Sequence, residues 1–129
     1  MTHAFQCRVY YEDTDLAGIV YYANYLKFIE RARSEFVRDE GIDQTRAKAE
    51  EGVVFAVRRI EADYLRPAKF DDLITVLTTP LNATPAQITL SQDVMRGDEV
   101  LFKSKVVLVA LKADGRPTRL PAELRELAP

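Results

Sequence analysis

The feature that most constrains the fold of this chain is a change in hydrophobic periodicity at residue 53. From there to residue 111, apolar residues recur with the period of two that is typical of β-strands. Turn-forming residues interrupt this stretch and leave four long β segments, at residues 53–64, 73–81, 86–95 and 100–111. Successive long strands with short connections pair most simply as an antiparallel sheet, so we expect a sheet to dominate the second half of the chain.

One long amphipathic helix is predicted before these strands. Between residues 22 and 38 the apolar residues recur at helical spacing, and most of the charged residues fall on the opposite side. A first strand is predicted at residues 5–11, and a second short helix at residues 43–51, with Asp43 as its cap and Gly52 as its stop. The fold class is therefore α+β, with one face of the antiparallel sheet packed on the long helix.

Length and charge limit the partners of this chain. Its 129 residues are enough for one hydrophobic core and too few for two, so we expect a single domain over residues 1–129. The net charge is -2 and there is no basic block, which argues against nucleic acid as a partner. The first residues lack the features of a signal peptide, and no apolar run reaches the roughly eighteen residues of a membrane span. A cytoplasmic protein that does not span the membrane is predicted.

Several catalytic chemistries are excluded by the residue types. The chain has one histidine, His3, which lies beside the N-terminus and is a poor catalytic candidate, so a Ser-His-Asp hydrolase or a zinc hydrolase is not expected. Its single cysteine, Cys7, cannot form a cysteine metal cluster, and no metal site is predicted. Neither a dinucleotide fingerprint nor a P-loop is present. A carboxylate remains as the candidate catalytic group.

Carboxylates are crowded in the stretch EDTDLAGIVYYANY, residues 12–25, directly before the predicted helix. Asp and Thr are common in turns, so this stretch is also explained as a plain connection. The alternative is catalytic: Asp15 would act as a general base toward water or as a nucleophile. A helix that begins near Tyr22 presents unpaired N–H groups that can hold an oxyanion, and Gly18 permits a tight turn. Residue types alone leave both interpretations open.

A longer match favours the catalytic interpretation. Residues 9–33, VYYEDTDLAGIVYYANYLKFIERAR, resemble the 4-hydroxybenzoyl-CoA thioesterase family of hotdog-fold proteins, especially its Tol-Pal-associated acyl-CoA thioesterase branch. The segments YLRPAKFDDLITV and GRPTRLP are also similar to that branch. The resemblance implies a hotdog fold, in which the sheet wraps around one long central helix. It also implies an enzyme that hydrolyses an acyl-CoA thioester to free acid and coenzyme A.

The resemblance assigns roles to individual residues. Asp15 matches the catalytic carboxylate of the family, and Tyr11 matches a tyrosine beside it. Tyr22 stands where the Tol-Pal-associated branch commonly has a histidine, and it is similar to the aromatic residue of the 4-hydroxybenzoyl-CoA enzymes. The family's role for this position is carried mainly by the backbone N–H at the start of the helix. The departure leaves the acyl preference open.

Partners are implied in the same way. The resemblance implies a homodimer or homotetramer with the active site near the subunit interface, and no cofactor, because coenzyme A is part of the substrate. Basic side chains would meet the coenzyme A phosphates. Arg116 and Arg119, after a predicted turn, are the first candidates, followed by Arg59, Arg66 and Lys69.

Two other functions compete with acyl-CoA hydrolysis. A dehydratase acting on 3-hydroxyacyl thioesters is disfavoured, because such enzymes use a catalytic histidine that this chain lacks. A non-catalytic hotdog module that binds acyl carrier protein or a membrane-associated complex is the remaining alternative, and the presence of Asp15 and Gly18 argues against it. The sequence leaves open the acyl chain and the choice between coenzyme A and acyl carrier protein.

Overall fold

A six-stranded antiparallel sheet is the frame of the computed structural model, which describes all 129 residues. The strands are β1 (His3–Arg8), β2 (Val53–Tyr64), β3 (Leu73–Ala83), β4 (Gln87–Arg96), β5 (Glu99–Lys112) and β6 (Pro117–Thr118). Their order across the sheet is β1-β3-β4-β5-β2, and the short β6 pairs with β5. All strand pairs are antiparallel. β1 and β2 are therefore the two edge strands of this order.

Three α-helices accompany the sheet: α1 (Asn24–Asp39), α2 (Gln44–Arg46) and α3 (Ala122–Arg125). A π-helical turn (Ala47–Glu51) continues α2 as far as Gly52, whose φ of 67° is the left-handed value that favours glycine. The Asp43 side chain accepts the Arg46 N–H at 3.0 Å, so the predicted cap and stop of this segment are confirmed. None of the helices combines the length and hydropathy of a membrane span.

The core lies between α1 and one face of the sheet. The helix buries Tyr25, Phe28, Ile29, Ala32, Phe36 and Val37. Opposite them, alternate residues of the central strands point inward, among them Val76, Leu90 and Val106, each 0% exposed. Each large apolar side chain buried in this way stabilises the fold by about 1.5–3 kcal/mol. The prediction of an antiparallel sheet packed on one long helix is confirmed.

The predicted boundaries differ from the observed ones around the acidic stretch. β1 ends at Arg8, so the predicted strand at residues 5–11 is wrong in its last residues, because Tyr11–Asp13 form a 3₁₀ turn. The long helix begins at Asn24 and not at residue 22, since Tyr22 and Ala23 lie in a turn before it. Both differences leave the acidic stretch as a structured connection between β1 and α1.

Candidate active site

The loop at residues 14–20 fixes the orientation of the Asp15 carboxylate. Asp15 Oδ1 accepts the Ala17 N–H at 2.9 Å. The Asp15 main chain closes the same loop, because its N–H donates to the Ile19 carbonyl at 2.9 Å and its carbonyl accepts the Gly18 N–H at 3.0 Å. Gly18 has a φ of 79°, a backbone conformation that is unfavourable for other L-residues. No protein group donates to the second carboxylate oxygen of Asp15, Oδ2, and Asp15 is an exposed residue.

Asp13 joins this loop to the entrance of α1. Its side chain is 5% exposed and accepts the Tyr10 N–H at 2.8 Å. Its carbonyl accepts the Tyr21 N–H at 3.0 Å and the Asn24 side-chain amide at 2.9 Å. The buried Asp13 carboxylate therefore has a structural role in holding the loop, whereas Asp15 is exposed.

Several backbone donors are unpaired at the start of α1. Tyr21 donates to Asp13, and the Asn24 N–H donates to the Tyr21 carbonyl at 2.8 Å. Between them, the N–H groups of Tyr22 and Ala23 donate to no protein acceptor, and Ala23 has no side chain that could cap the helix. Free N–H groups at this end also experience the positive end of the helix dipole. This entrance can therefore stabilise negative charge on a ligand oxygen.

Asp15 and Tyr22 line the same cleft, which has a volume of about 400 Å³. The other residues that line it are Ile19, Val20, Tyr21, Tyr25, Tyr64, Leu65, Arg66 and Pro67. Most of this surface is apolar or aromatic, and Asp15 and Arg66 are its charged members. A concave apolar surface with few polar groups is the usual composition of a small-molecule site.

Tyrosines form much of the cleft wall. Tyr25 is 3% exposed, stacks on Phe102 with ring centroids 5.0 Å apart, and accepts the Ala68 N–H at 2.9 Å through its hydroxyl oxygen. The Tyr64 hydroxyl donates to the Tyr22 carbonyl at 2.9 Å. Burial raises the pKa of both the Tyr25 and the Tyr64 hydroxyl above its ordinary value, so both stay protonated at neutral pH.

The other wall of the cleft is the loop at residues 65–72, which is attached to the Asp15 loop. The Val20 N–H donates to the Ala68 carbonyl at 2.8 Å. Ile19 and Lys69 form an isolated antiparallel bridge beside it. Because the two loops share these bonds, the position of Asp15 depends on the position of the 65–72 loop.

An ion-pair network holds the 65–72 loop on the sheet. Arg96 on β4 contacts Asp72 at 2.7 Å and Glu99 at 2.6 Å, and Arg66 contacts Glu99 at 3.3 Å. The hydrogen bond from Arg96 lowers the pKa of the Glu99 carboxyl. These side chains are partly exposed, so their main contribution is to fix the geometry of the loop.

Two predicted site residues lie outside the cleft in a single chain. Tyr11 stacks on Phe70 with ring centroids 4.4 Å apart, and its side chain is 80% exposed. Arg59, on β2, pairs with Glu61 at 2.6 Å. No group of three or more His, Cys, Asp or Glu residues has the arrangement of a metal site.

Arg116 and Arg119 also lie away from the cleft. Arg116 pairs with Asp114 at 3.5 Å, and both arginines are exposed. They follow Lys112, the last residue of β5, whereas the cleft wall packs on Phe102 near the other end of that strand. The ten residue steps from Phe102 to Lys112 span about 33 Å. One chain therefore does not bring these arginines to its own Asp15.

The sequence did not single out Tyr64 or Arg96. Tyr64 ends a predicted strand before an Arg-Pro turn, and Arg96 begins a predicted Arg-Gly-Asp turn, so both have ordinary local settings. Their contacts join positions that are far apart in sequence: Tyr64 reaches Tyr22, and Arg96 reaches Asp72. No local signal identifies such pairs, because only the folded sheet brings them together.

Comparison with known proteins gives consistent matches. A family model described as "Thioesterase superfamily" matches residues 17–103. The acyl-CoA thioesterase YbgC of Haemophilus influenzae is 37% identical, over 95% of this chain and 90% of that protein. The crystal structure of a probable thioesterase from Bartonella henselae has a TM-score of 0.89 and 41% identity, over 94% of this chain and 100% of that chain.

A more distant neighbour has the same fold. The crystal structure of a 4-hydroxybenzoyl CoA thioesterase complexed with 4-hydroxybenzoyl CoA superimposes with a TM-score of 0.90. The match covers 99% of both chains at 22% identity. At this identity, the likeness describes the arrangement of strands and helix.

Proposed function

The chain belongs to the thioesterase superfamily and hydrolyses acyl-CoA thioesters, and we propose that Asp15 carries out this reaction at the entrance of α1. The resemblance to the 4-hydroxybenzoyl-CoA thioesterase family and its hotdog fold, expected from the sequence, is confirmed. One observation carries the proposal for the site: Asp15 and Tyr22 line one cleft, beside the unpaired N–H groups of Tyr22 and Ala23.

The first task of the site is to stabilise the oxyanion. Attack on a thioester places a full negative charge on the carbonyl oxygen of the tetrahedral intermediate. We assign the N–H groups of Tyr22 and Ala23 to this oxygen, because they have no other protein acceptor and lie at the positive end of the α1 dipole. Preorganised donors of this kind typically contribute about a hundredfold to a thousandfold in kcat each. The Tyr22 side chain contributes to the cleft wall.

The second task is to supply the nucleophile. In one route Asp15 accepts a proton from water, the resulting hydroxide attacks the thioester carbon, and the coenzyme A thiolate leaves and takes up a proton. In the other route the Asp15 carboxylate attacks the carbon itself, the thiolate leaves, and water splits the acyl-Asp15 anhydride. The Oδ2 atom of Asp15, which accepts no protein hydrogen bond, serves either route, while the Ala17 N–H holds Oδ1 and the Gly18 N–H holds the Asp15 main-chain carbonyl.

Label on Asp15 after a single turnover in ¹⁸O-labelled water identifies the nucleophile route. In the general-base route the new oxygen enters the product acid and never the protein. In the nucleophile route, water attack on the Asp15 carbonyl of the anhydride leaves the labelled oxygen on Asp15 and an unlabelled protein oxygen in the acid. Water attack on the acyl carbonyl labels the acid alone, as in the general-base route. Mass spectrometry of the product acid and of the peptide that contains Asp15 measures the ¹⁸O content of each.

The substrate is an acyl-CoA thioester. We propose that no further cofactor takes part, because Asp15 supplies or activates the nucleophile and the start of α1 stabilises the oxyanion. A cleft of about 400 Å³ accommodates an acyl group and the adjoining thioester. Its tyrosine wall is compatible with both aromatic and aliphatic acyl groups. Thiol release from a panel of acyl-CoA substrates tests the function and ranks the acyl groups. Absence of release from every member of the panel would refute the function.

We also propose that the active unit is an oligomer that forms through β2. Residues 57–64 of this edge strand are all exposed, although its partner strand β5 is well buried. Ile60, Ala62 and Tyr64 lie opposite the buried residues Val106, Ser104 and Phe102, so they occupy the helix side of the sheet. An edge strand that is apolar and uncovered on its core side is a site for pairing with another strand.

A second copy of this chain fits that edge. Antiparallel pairing of the two β2 strands about a two-fold axis would continue the sheet and place each chain's far end beside the other chain's cleft. Arg116 and Arg119 of the partner subunit would then approach the coenzyme A phosphates, and Arg59 lies within the paired strand itself. This arrangement accounts for the distance of these arginines from Asp15 in one chain. Whether dimers pair further into tetramers depends on other surfaces.

Acyl carrier protein is the alternative thioester carrier. Its pantetheine arm has the same chemistry at the thioester, so it would enter the same cleft as coenzyme A. Kinetic comparison of one acyl group on the two carriers distinguishes them through KM. The cytoplasmic location and the single domain over residues 1–129 stay predictions.

A further inference from the structure

The hydroxyl of Tyr64 is the sole protein donor to the Tyr22 carbonyl. The bond is 2.9 Å long and links the end of β2 to the turn before α1. In a regular helix this carbonyl would accept the N–H four residues later, at Leu26, but that N–H donates to the Ala23 carbonyl at 3.2 Å. The Tyr22 carbonyl, just before α1, is therefore held by a side chain from the sheet and not by a backbone N–H of the helix.

Tyr64 is well placed to hold this bond. Its ring makes edge contacts with Phe102, Tyr25 and Tyr22, with centroids 5.1, 5.5 and 6.2 Å apart. Directly after it, the chain is fixed by two N–H groups that both donate to the Leu101 carbonyl, at 2.9 and 3.0 Å. The hydroxyl thus comes from a rigid position, although the outer edge of the ring is open to the cleft.

The bond acts on the neighbouring N–H through the peptide group. The Tyr22 carbonyl and the Ala23 N–H belong to one planar unit, so fixing the oxygen also fixes the direction of the N–H. A hydrogen bond to the carbonyl oxygen polarises the amide as well, which makes its N–H a stronger donor. A tyrosine whose hydroxyl stays protonated is suited to this task.

We infer that Tyr64 is a positioning residue for thioester hydrolysis, which acts through the Tyr22–Ala23 peptide to aim and strengthen the Ala23 N–H toward the oxyanion. The inference rests on the proposed function, because it requires the Ala23 N–H to be one of the oxyanion donors. It assigns Tyr64 an effect on kcat, whereas a residue that only lines the cleft would act on KM.

The kinetic test compares Tyr64→Phe with Tyr64→Leu in the full chain. Tyr64→Phe keeps the ring contacts and removes the hydroxyl, and we expect kcat to fall about tenfold with KM within about twofold, a smaller loss than removal of an oxyanion donor itself. Tyr64→Leu should show the same loss in kcat with a raised KM, because the cleft wall is altered too. Wild-type kcat in Tyr64→Phe, or a raised KM with unchanged kcat, would overturn the inference.

A spectroscopic test reads the peptide directly. Tyr22–Ala23 is the only Tyr-Ala pair in the sequence, so labelling with ¹³C-carbonyl tyrosine and ¹⁵N-alanine gives one carbonyl–amide correlation. Loss of the hydrogen bond in Tyr64→Phe should move both the carbonyl carbon and the amide nitrogen to lower chemical shift, without substrate present. An unmoved peak would refute the coupling. Normal turnover of Asp15→Asn would instead refute the proposed site, and this peak would still report on the Tyr64 bond.

Discussion

Replacement of Gly18 by alanine should impair catalysis more than it impairs folding. Gly18 has a φ of 79°, and a Cβ built there meets no atom within 4 Å, so no steric clash opposes the substitution. The cost is the left-handed backbone, about 1–2 kcal/mol for an L-residue, offset by about 0.4–1 kcal/mol from the reduced freedom of the unfolded chain. We therefore expect Gly18→Ala to lower the free energy of unfolding by about 0.5–1.5 kcal/mol.

The catalytic effect should be larger, because the Gly18 N–H closes the loop on the Asp15 carbonyl. Any relaxation of φ toward negative values opens that turn and displaces the carboxylate. A displacement of about 1 Å at a catalytic group costs up to about a hundredfold in rate, so we expect kcat to fall at least tenfold, to about this limit.

Gly115→Ala is the matched control. Gly115 has a φ of 85° and the same open surroundings, but it lies in the turn before β6, away from the Asp15 loop and the cleft of the same chain. Urea unfolding should show similar losses of stability for the two variants, whereas kcat for thiol release at saturating acyl-CoA should fall in Gly18→Ala alone. Equal kcat in the two variants would refute the argument that the Gly18 turn sets the position of Asp15.

Two further predictions concern the second copy of the chain. Ile60→Glu places a charge on the uncovered core side of β2, so light scattering at micromolar concentration should show a shift toward monomer, and an unchanged mass would place the interface elsewhere. Replacement of both Arg116 and Arg119 by alanine should raise KM for acyl-CoA with little change in kcat, because the phosphates lie far from the reacting carbon. If the double variant keeps its KM, other residues hold the phosphates.

The sequence predicted the frame of the molecule well because periodicity and turn residues are local signals. The strand predicted at residues 53–64 is β2, and Asp43 and Gly52 bound the second helix as expected. The start of α1 was predicted two residues early, because Tyr22 continues the apolar stripe while its carbonyl is held by Tyr64 and not by the helix. Periodicity does not report which backbone groups are hydrogen-bonded.

The candidate site was predictable to the extent that it lies in one continuous segment. Asp15, Gly18 and Tyr22 are close in sequence. Asp15 and Gly18 belong to one loop, and Asp15 and Tyr22 line the same cleft. Tyr64 and Arg96 reach Tyr22 and Asp72 only because the sheet brings distant segments together. Their neighbours in the sequence therefore did not indicate a role in the site. Arg116 was chosen for its turn, and the single chain places it at the other end of β5.

The central claim is most directly tested by thiol release from the best acyl-CoA substrate in Asp15→Asn. Asparagine has nearly the same shape and can still accept the Ala17 N–H, so circular dichroism and the oligomer should be unchanged. Asp13→Asn is the control, since its side chain accepts the Tyr10 N–H inside the protein and does not reach the cleft. We expect kcat to fall at least about a hundredfold in Asp15→Asn and much less in Asp13→Asn. Near-normal turnover in a folded Asp15→Asn protein, or a larger loss in Asp13→Asn, would contradict the assignment of Asp15 as the catalytic carboxylate.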